Sequence, residues 1–250
     1  MDLIVLFIVS LFANLLSSLA GGGAGLVQLP ILLFLGQPFA QALATHKVAT
    51  IFLGLGATSK HLKSGLLQAK LCWQLALCGL LGVIPGALFI TFVPERLATL
   101  ALGLLTLGLA IYSMSQKDLG LESRSIAPRR KHMAFLGLGM LWFIALLNGS
   151  LSSGTGLMVT LWLVRFYGLS YKQAIAHTLV MVGLLWNGLG GLTLGLAGNI
   201  NWQWLPILVV ASFMGGWLGA KLGHRASNKL LKRLFELVTL ATALGLLFSL

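Results

Sequence analysis

Charged residues, and acidic residues above all, are scarce in this sequence. Only 9% of its 250 residues are charged, and Asp and Glu together number 5 against 17 Lys and Arg. A soluble domain carries about 25% charged residues, so this composition excludes an ordinary soluble protein. A net charge of +12 would indicate nucleic acid in a soluble chain, but here the basic residues cluster in short loops between apolar runs. We therefore expect contact with membrane lipid and no nucleic-acid partner.

The sequence also lacks the usual patterns of metal, disulfide and hydrolytic chemistry. Its 2 cysteines, Cys72 and Cys78, are spaced so that they fall on different faces of one helix. It contains no HExxH motif, no P-loop and no paired aspartates. Ser153 or Thr155 with His177 would be the pair for a nucleophilic mechanism, but nothing in the pattern orients the histidine. We expect no cofactor, no metal and no enzymatic activity.

Free carboxylates are missing from the apolar runs. Glu236 is the one acidic residue within such a run, and it follows Lys232 and Arg233 by a turn of helix, which predicts a local ion pair. This argues against the carboxylate-based proton or sodium sites of many symporters. His61, His132 and His224 fall in basic loops, where we expect them to be solvated.

Long apolar runs dominate what is present. The chain is 58% hydrophobic with a mean hydropathy of +0.95. A membrane-spanning helix needs about 20 apolar residues, whereas a transmembrane barrel would alternate polar and apolar residues. Runs of about this length have no Asp, Glu, Lys or Arg at 3–20, 71–93, 133–151 and 203–220. These continuous runs predict an all-α polytopic protein, multi-pass in the cell (inner) membrane.

The second half of the chain repeats the first at an offset of about 130 residues. Gly23-Ala24-Gly25-Leu26 matches Gly154-Thr155-Gly156-Leu157, and the stretch 41–46 matches 173–178. We predict two repeats of about five helical segments each, residues 1–114 and 133–250, joined by a cytoplasmic linker at 115–132. Each repeat has a long helix, a Gly/Ser break, a short apolar segment and three longer helices: 3–20, 24–35, 39–59, 71–93 and 97–114, then 133–151, 155–167, 172–196, 203–222 and 229–249.

Basic residues predict the orientation of the two repeats. They form three clusters, at 60–70, 117–131 and 221–233, whereas the opposing connections 92–96 and 197–202 hold only Arg96. Placing the clusters in the cytoplasm makes the repeats inverted relative to each other. Inverted repeats with broken helices are typical of secondary transporters, with the substrate at the repeat interface. The short, Gly-rich broken segments either cross the membrane or re-enter it.

The two breaks, at 20–25 and 152–156, are the first candidate for a substrate site. A helix N-terminus exposes free N–H groups and partial positive charge, which suits an anion, and glycine permits close approach. Two matched breaks favour function over the alternative that Gly and Ser only let helices pack closely. The candidate substrate-binding residues are Gly23, Gly25, Gln28, Thr45, His46, Lys47, Asn148, Ser152, Ser153, Thr155, Gly156, His177 and Thr178.

Lys47 is the most specific of these candidates. It lies well inside the third segment, and a cation within a membrane span indicates function unless it snorkels to the headgroups. His46 and His177 occupy near-equivalent places in the repeats and either pass protons or pack as hydrogen-bonded histidines. Thr45 and Thr178 are more typical of local backbone bonding.

Several of these stretches resemble the sulfite exporter TauE/SafE (TSUP) family, nearest its YfcA-like branch. They are Gly21-Gly22-Gly23-Ala24-Gly25-Leu26-Val27-Gln28-Leu29-Pro30, Ala44-Thr45-His46-Lys47, Ser153-Gly154-Thr155-Gly156 and Ala176-His177-Thr178. His46, Ser153 and Leu179 replace the Asn, Pro and Lys that the pattern leads one to expect. The resemblance implies transport of sulfite, sulfonates or related sulfur-containing anions.

We therefore predict a secondary transporter of a small anion, with a homo-oligomer left open. A structural or assembly protein is the alternative, and an intramembrane enzyme a weaker one. A structural protein would not need matched breaks beside a buried lysine. The anion, the direction of transport and the coupling ion are left open by the sequence.

Overall fold

A computed structural model describes residues 3–22, 24–62, 64–117 and 131–248, and these form helices without strands. The first half contains α1 (Leu3–Ala20), α2 (Ala24–Phe34), α3 (Phe39–His61), α4 (Ala69–Phe89), a 3₁₀ turn (Ile90–Phe92) and α5 (Glu95–Ser115). The second half contains α6 (Lys131–Leu151), α7 (Thr155–Tyr167), α8 (Tyr171–His177), α9 (Asn187–Leu196), α10 (Leu205–Arg225) and α11 (Asn228–Phe248). A π-helical stretch, Thr178–Trp186, joins α8 to α9 into one continuous helix.

The all-α prediction is confirmed, and the helices begin and end within a few residues of the predicted bounds. Glycine ends α1 where the sequence predicts a break, because Gly21 and Gly22 have φ of 86° and 120°. The second break also contains a glycine with positive φ, because Gly154 has φ of 74° directly before α7. Most of the predicted linker 115–132 lies outside the described residues, and the division into repeat domains stays a prediction.

The interior combines a large apolar core with many buried polar side chains, and the outer surface carries many exposed apolar side chains. Large apolar side chains face outward along the helices, for example Trp73, Phe92 and Phe135, which are 77%, 83% and 74% exposed. Polar groups such as Asn14 and Gln28 are at most 1% exposed. Five helices of the described part are long and apolar enough to cross a bilayer. The protein is a multi-pass membrane protein.

Helix packing follows the repeat. α1 packs along α10 as α6 packs along α4, and α5 packs against α11. The continuous helix from Tyr171 to Leu196 crosses α3, so that the two long central helices of the repeats contact each other. Gly54 and Gly183 let the backbones meet there, because a Cβ on Gly54 would lie 2.7 Å from the Gly183 carbonyl carbon. That the repeats run in opposite directions across the membrane stays a prediction.

Two predictions about side chains outside the breaks have opposite outcomes. The predicted ion pair forms between Lys232 and Glu236, and the Ser113 hydroxyl on α5 also donates to the Glu236 carboxylate. The prediction of solvated histidines is wrong for His61, which ends α3 and is only 4% exposed. Its ring lies 4.9 Å from that of half-buried His224, because α3 and α10 pack together to their ends. The His132 side chain is outside the described part.

Candidate functional site: a cavity between the two helix breaks

A small polar cavity lies where the two breaks meet the central helices. Its volume is about 40 Å³, room for about three water molecules or one small oxyanion. Thr50, the middle residue of α3, lines it on one side, and Gly183, near the middle of the opposing helix, lines it on another. The full lining is Ser17, Gly22, Ala24, Gly25, His46, Thr50, Leu53, Asn148, Ser152, Gly156, Thr178, Leu179, Val182, Gly183 and Asn187.

The two breaks contact each other in a reciprocal way. A Cβ on Gly22 would lie 2.7 Å from the Gly156 backbone, and a Cβ on Gly25 would lie 2.8 Å from the Ser153 hydroxyl. In the aligned repeats, Gly22 corresponds to Ser153 and Gly25 to Gly156. The contact of Gly22 with Gly156 is therefore equivalent to the contact of Ser153 with Gly25. The absence of side chains at these glycines brings the starts of α2 and α7 to one cavity.

The start of α7 lines this region at Gly156 and has no side-chain cap among the described residues. Its N-cap residue, Gly154, has no side chain to cap the helix, so the first N–H groups keep their hydrogen-bonding capacity. Ser152 lines the cavity with φ of 58°, the one non-glycine residue with positive φ in the described ranges. Such a backbone costs about 1–3 kcal/mol and is concentrated at functional sites in proteins.

Lys47 lies next to the cavity and not in lipid. Its side chain is 0% exposed, and its ammonium group donates to the backbone carbonyl and to the side-chain oxygen of Asn148, at 2.7 and 3.2 Å. Asn148 in turn donates to the Thr155 hydroxyl at 2.8 Å and lines the cavity. The lysine therefore connects α3 to the last turn of α6, and Asn148 lies between it and the cavity.

His46 faces the cavity and is held from behind by α2. Its Nδ1 lies 2.7 Å from Gln28 Oε1, and the Gln28 amide donates to the Ser10 hydroxyl at 2.5 Å. The second repeat has a matching bond between Thr160 and Thr178 at 2.9 Å, with the same separation of 18 residues along the chain. Each short broken helix thus anchors the central helix that follows it.

The cavity brings together some of the predicted site residues and leaves others outside. Gly25, His46, Asn148, Ser152, Gly156 and Thr178 line it, while Gln28, Lys47, Ser153 and Thr155 surround it within one contact or hydrogen bond. Thr45 and His177 lie outside the cavity. The Thr45 hydroxyl donates to the Gln41 carbonyl and accepts from the Asn201 N–H. His177 bonds to the Gln173 carbonyl and accepts from the Gln68 N–H. Gly23 lies outside the described residues.

Sequence reasoning missed the contribution of the π-helical stretch. Leu179, Val182 and Gly183 reach the cavity from it, and Asn187 directly after it donates to the Thr50 hydroxyl at 3.0 Å. π-helical turns widen a helix and often occur at functional sites. Thr50 and Asn187 are polar residues within apolar spans, and this is the feature of the sequence that could have indicated their place at the cavity.

Comparison with known proteins identifies the family of this chain. The model of the sulfite exporter TauE/SafE family matches residues 6–246. The chain belongs to this family. It is 30% identical over 223 residues to a probable membrane transporter protein of Haemophilus influenzae, covering 88% of this chain and 84% of that protein. Similarity to the probable membrane transporter YfcA of Escherichia coli K12 is 26% over 246 residues, covering 98% and 89%. No solved structure matches significantly.

Membership in the TauE/SafE family makes the protein a membrane transporter, like the relatives whose names describe probable transporters. A further relative, the probable membrane transporter ORF9 of a Sinorhizobium species, is 27% identical over 243 residues and covers 97% of this chain. These matches extend across both predicted repeats and the linker between them.

Proposed function

We propose that this protein is a secondary transporter that moves a small anion across the cytoplasmic membrane, and that the anion is a sulfur oxyanion or organosulfonate such as sulfite. The observation that supports this most is Lys47, a fully buried lysine beside a cavity that both helix breaks line. The TauE/SafE family description supports the class of substrate.

When Lys47 is ionised, its charge needs a partner that the described part of the chain does not supply. Its acceptors are the two oxygens of Asn148, and the one salt bridge described lies elsewhere, between Lys232 and Glu236. An ionised group taken out of water costs several kcal/mol unless an opposite charge compensates it. A bound anion would provide that charge, so the site favours an anion over a neutral or cationic substrate.

The size and donors of the cavity favour a compact oxyanion. A volume of about 40 Å³ suits a compact oxyanion better than a bulky organic anion in this conformation. The Ser153 hydroxyl is buried without a hydrogen-bond partner in the described part, and the free N–H groups at the start of α7 add further donors. An SO₃ group presents several oxygens in different directions, which suits donors converging from two repeats.

Uptake into proteoliposomes tests the proposal. Purified protein should transport at least one of radiolabelled sulfite, thiosulfate and methanesulfonate, and a benzoate control should not enter. Lys47→Met keeps the shape of the side chain and removes its charge, and we expect uptake to fall about tenfold or more. Lys47→Arg should restore part of the loss, because the charge returns in a different shape.

A matched control separates binding from folding. A buried charge without an opposite charge beside it costs free energy in the folded state, so the melting temperature of Lys47→Met should not fall. Lys117→Met, at an exposed lysine, should transport like the wild type. Normal uptake in Lys47→Met, or no uptake of any anion by the wild type, would contradict the proposal.

A further inference from the structure

We propose that the imidazole of His46 takes up one proton when an anion occupies the cavity, so that the anion and a proton bind and cross together. The inference rests on the proposed anion transport and adds the coupling ion. It is carried by the hydrogen bonds that hold the imidazole and by the direction in which its second nitrogen points.

The bond to Gln28 determines which nitrogen carries the hydrogen in the neutral ring. The Gln28 amide nitrogen donates to the Ser10 hydroxyl, which turns the amide oxygen toward His46. Nδ1 of His46 must then donate to that oxygen, at 2.7 Å. The neutral imidazole therefore presents Nε2 as a bare acceptor.

Nε2 points into the space between the breaks. It lies 2.9 Å from the position that a Cβ on Gly25 would occupy, and the Ser153 hydroxyl oxygen lies 2.8 Å from the same position. No hydrogen bond to Nε2 is formed within the described part of the chain, although His46 is 1% exposed. The nitrogen is thus available to a ligand in the cavity.

The lone pair on Nε2 of the neutral ring would repel an anion. Protonated Nε2 would donate a hydrogen bond to the anion and add one positive charge, while Nδ1 keeps its bond to Gln28. The charged neighbour is Lys47, on the same helix. Gln28 on α2 bonds the ring, Ser10 on α1 bonds Gln28, and the Ser153 hydroxyl of the second break lies near Nε2, and all three are uncharged. The π-helical stretch and α9, which also pack against α3, contain no titratable residue.

This arrangement makes protonation conditional on the anion. Without a ligand, a second positive charge beside Lys47 in a buried site is unfavourable, and the imidazole stays neutral. With an anion between them, both cations are compensated. Since linkage is reciprocal, the anion raises proton affinity by the factor by which the proton raises anion affinity. On release, the proton returns to water on the far side with the anion, and the imidazole is neutral again.

The first test measures half-saturation for methanesulfonate against pH, because this anion keeps one charge throughout the neutral range. Wild-type half-saturation should rise with pH, by up to about tenfold per pH unit for one linked proton. His46→Asn keeps a donor for Gln28 and cannot be protonated, so its half-saturation should be independent of pH. His224→Asn, at a histidine away from the cavity, should behave like the wild type.

The second test measures proton movement with a dye trapped inside the vesicles. Methanesulfonate uptake by the wild type should carry about one proton per anion, and uptake by His46→Asn should carry none. If His46→Asn lowers the melting temperature, His46→Gln serves as a second variant with the same expectation. Anion uptake without proton movement in the wild type would overturn this inference and leave the proposed function standing. No uptake of any anion would instead contradict the proposed function.

Discussion

At the scale of single residues, Ser153 is a polar group that packing alone leaves unsatisfied. Its hydroxyl is 1% exposed and has no hydrogen-bond partner within the described residues. A buried donor without a partner costs about 1–3 kcal/mol. A protein that only packed its helices here would gain stability with alanine at this position. A ligand oxygen in the cavity would instead satisfy the hydroxyl.

Ser153→Ala should therefore separate stability from binding. We expect the melting temperature to stay the same or rise, because an unsatisfied group is removed. Anion half-saturation should increase about 2- to 12-fold, the loss of one hydrogen bond worth about 0.5–1.5 kcal/mol. Ser59→Ala is the control, since that hydroxyl bonds to the Gly56 carbonyl of its own helix. An unchanged half-saturation in Ser153→Ala would remove the hydroxyl from the site.

A side chain added at Gly25 tests by steric hindrance whether the anion binds between the breaks. A Cβ at this position would lie within 2.9 Å of both His46 Nε2 and the Ser153 hydroxyl, so Gly25→Val should fill the cavity and abolish uptake. Gly139→Val is the matched control, because a Cβ on Gly139 meets nothing within 4 Å. Uptake at the wild-type rate in Gly25→Val would show that the substrate does not pass between the breaks. Chromatography in detergent checks that both variants fold.

At the scale of secondary structure elements, the helices could be predicted and the π-helical stretch could not. Apolar run length and Gly/Ser breaks are local properties, so α1, α7 and the other helices follow from them closely. The stretch Thr178–Trp186 depends on tertiary packing instead. Trp186 is fully buried there and donates to the Leu75 carbonyl at 2.8 Å across α4. No property of the residues 178–186 alone indicates that this bond forms.

Gly79 is the position that makes room for this tryptophan. A Cβ on Gly79 would lie 2.1 Å from Trp186 Nε1, which must move if a side chain is added. Gly79→Ala should lower stability by about 1–3 kcal/mol, measured as melting temperature in detergent, with half-saturation nearly unchanged. Gly108→Ala, where a Cβ meets nothing within 4 Å, should stabilise its helix by about 0.5–1 kcal/mol. Equal melting temperatures for Gly79→Ala and the wild type would contradict the described packing.

At the scale of the whole molecule, aligning the two halves of the sequence predicts which residues occupy equivalent places. The aligned stretches 41–46 and 173–178 pair His46 with Thr178 and Thr45 with His177. In the structure, His46 and Thr178 line the cavity, while Thr45 and His177 bond away from it. A helix turns by 100° per residue, so a difference of one residue in alignment decides which side chain faces the other repeat. Lys47 was recognisable because a charge within an apolar span is costly and is rarely kept there without a function. Neutral residues such as Asn187 give a weaker signal, because a hydrogen bond between helices explains a polar group in an apolar span equally well.

The orientation of the two repeats in the membrane follows from the charge of the loops rather than from packing. Basic clusters near Lys60, Lys117 and Lys221 should lie in the cytoplasm. In a background without Cys72 and Cys78, single cysteines at Leu62 and Lys117 should react with an impermeant thiol reagent only from the cytoplasmic side. Cysteines at Pro94 and Ala197 should react only from outside. All these positions are exposed. Because Leu62 and Ala197 end equivalent central helices, labelling of both from one side would mean that the repeats are parallel, and the inverted model would be wrong.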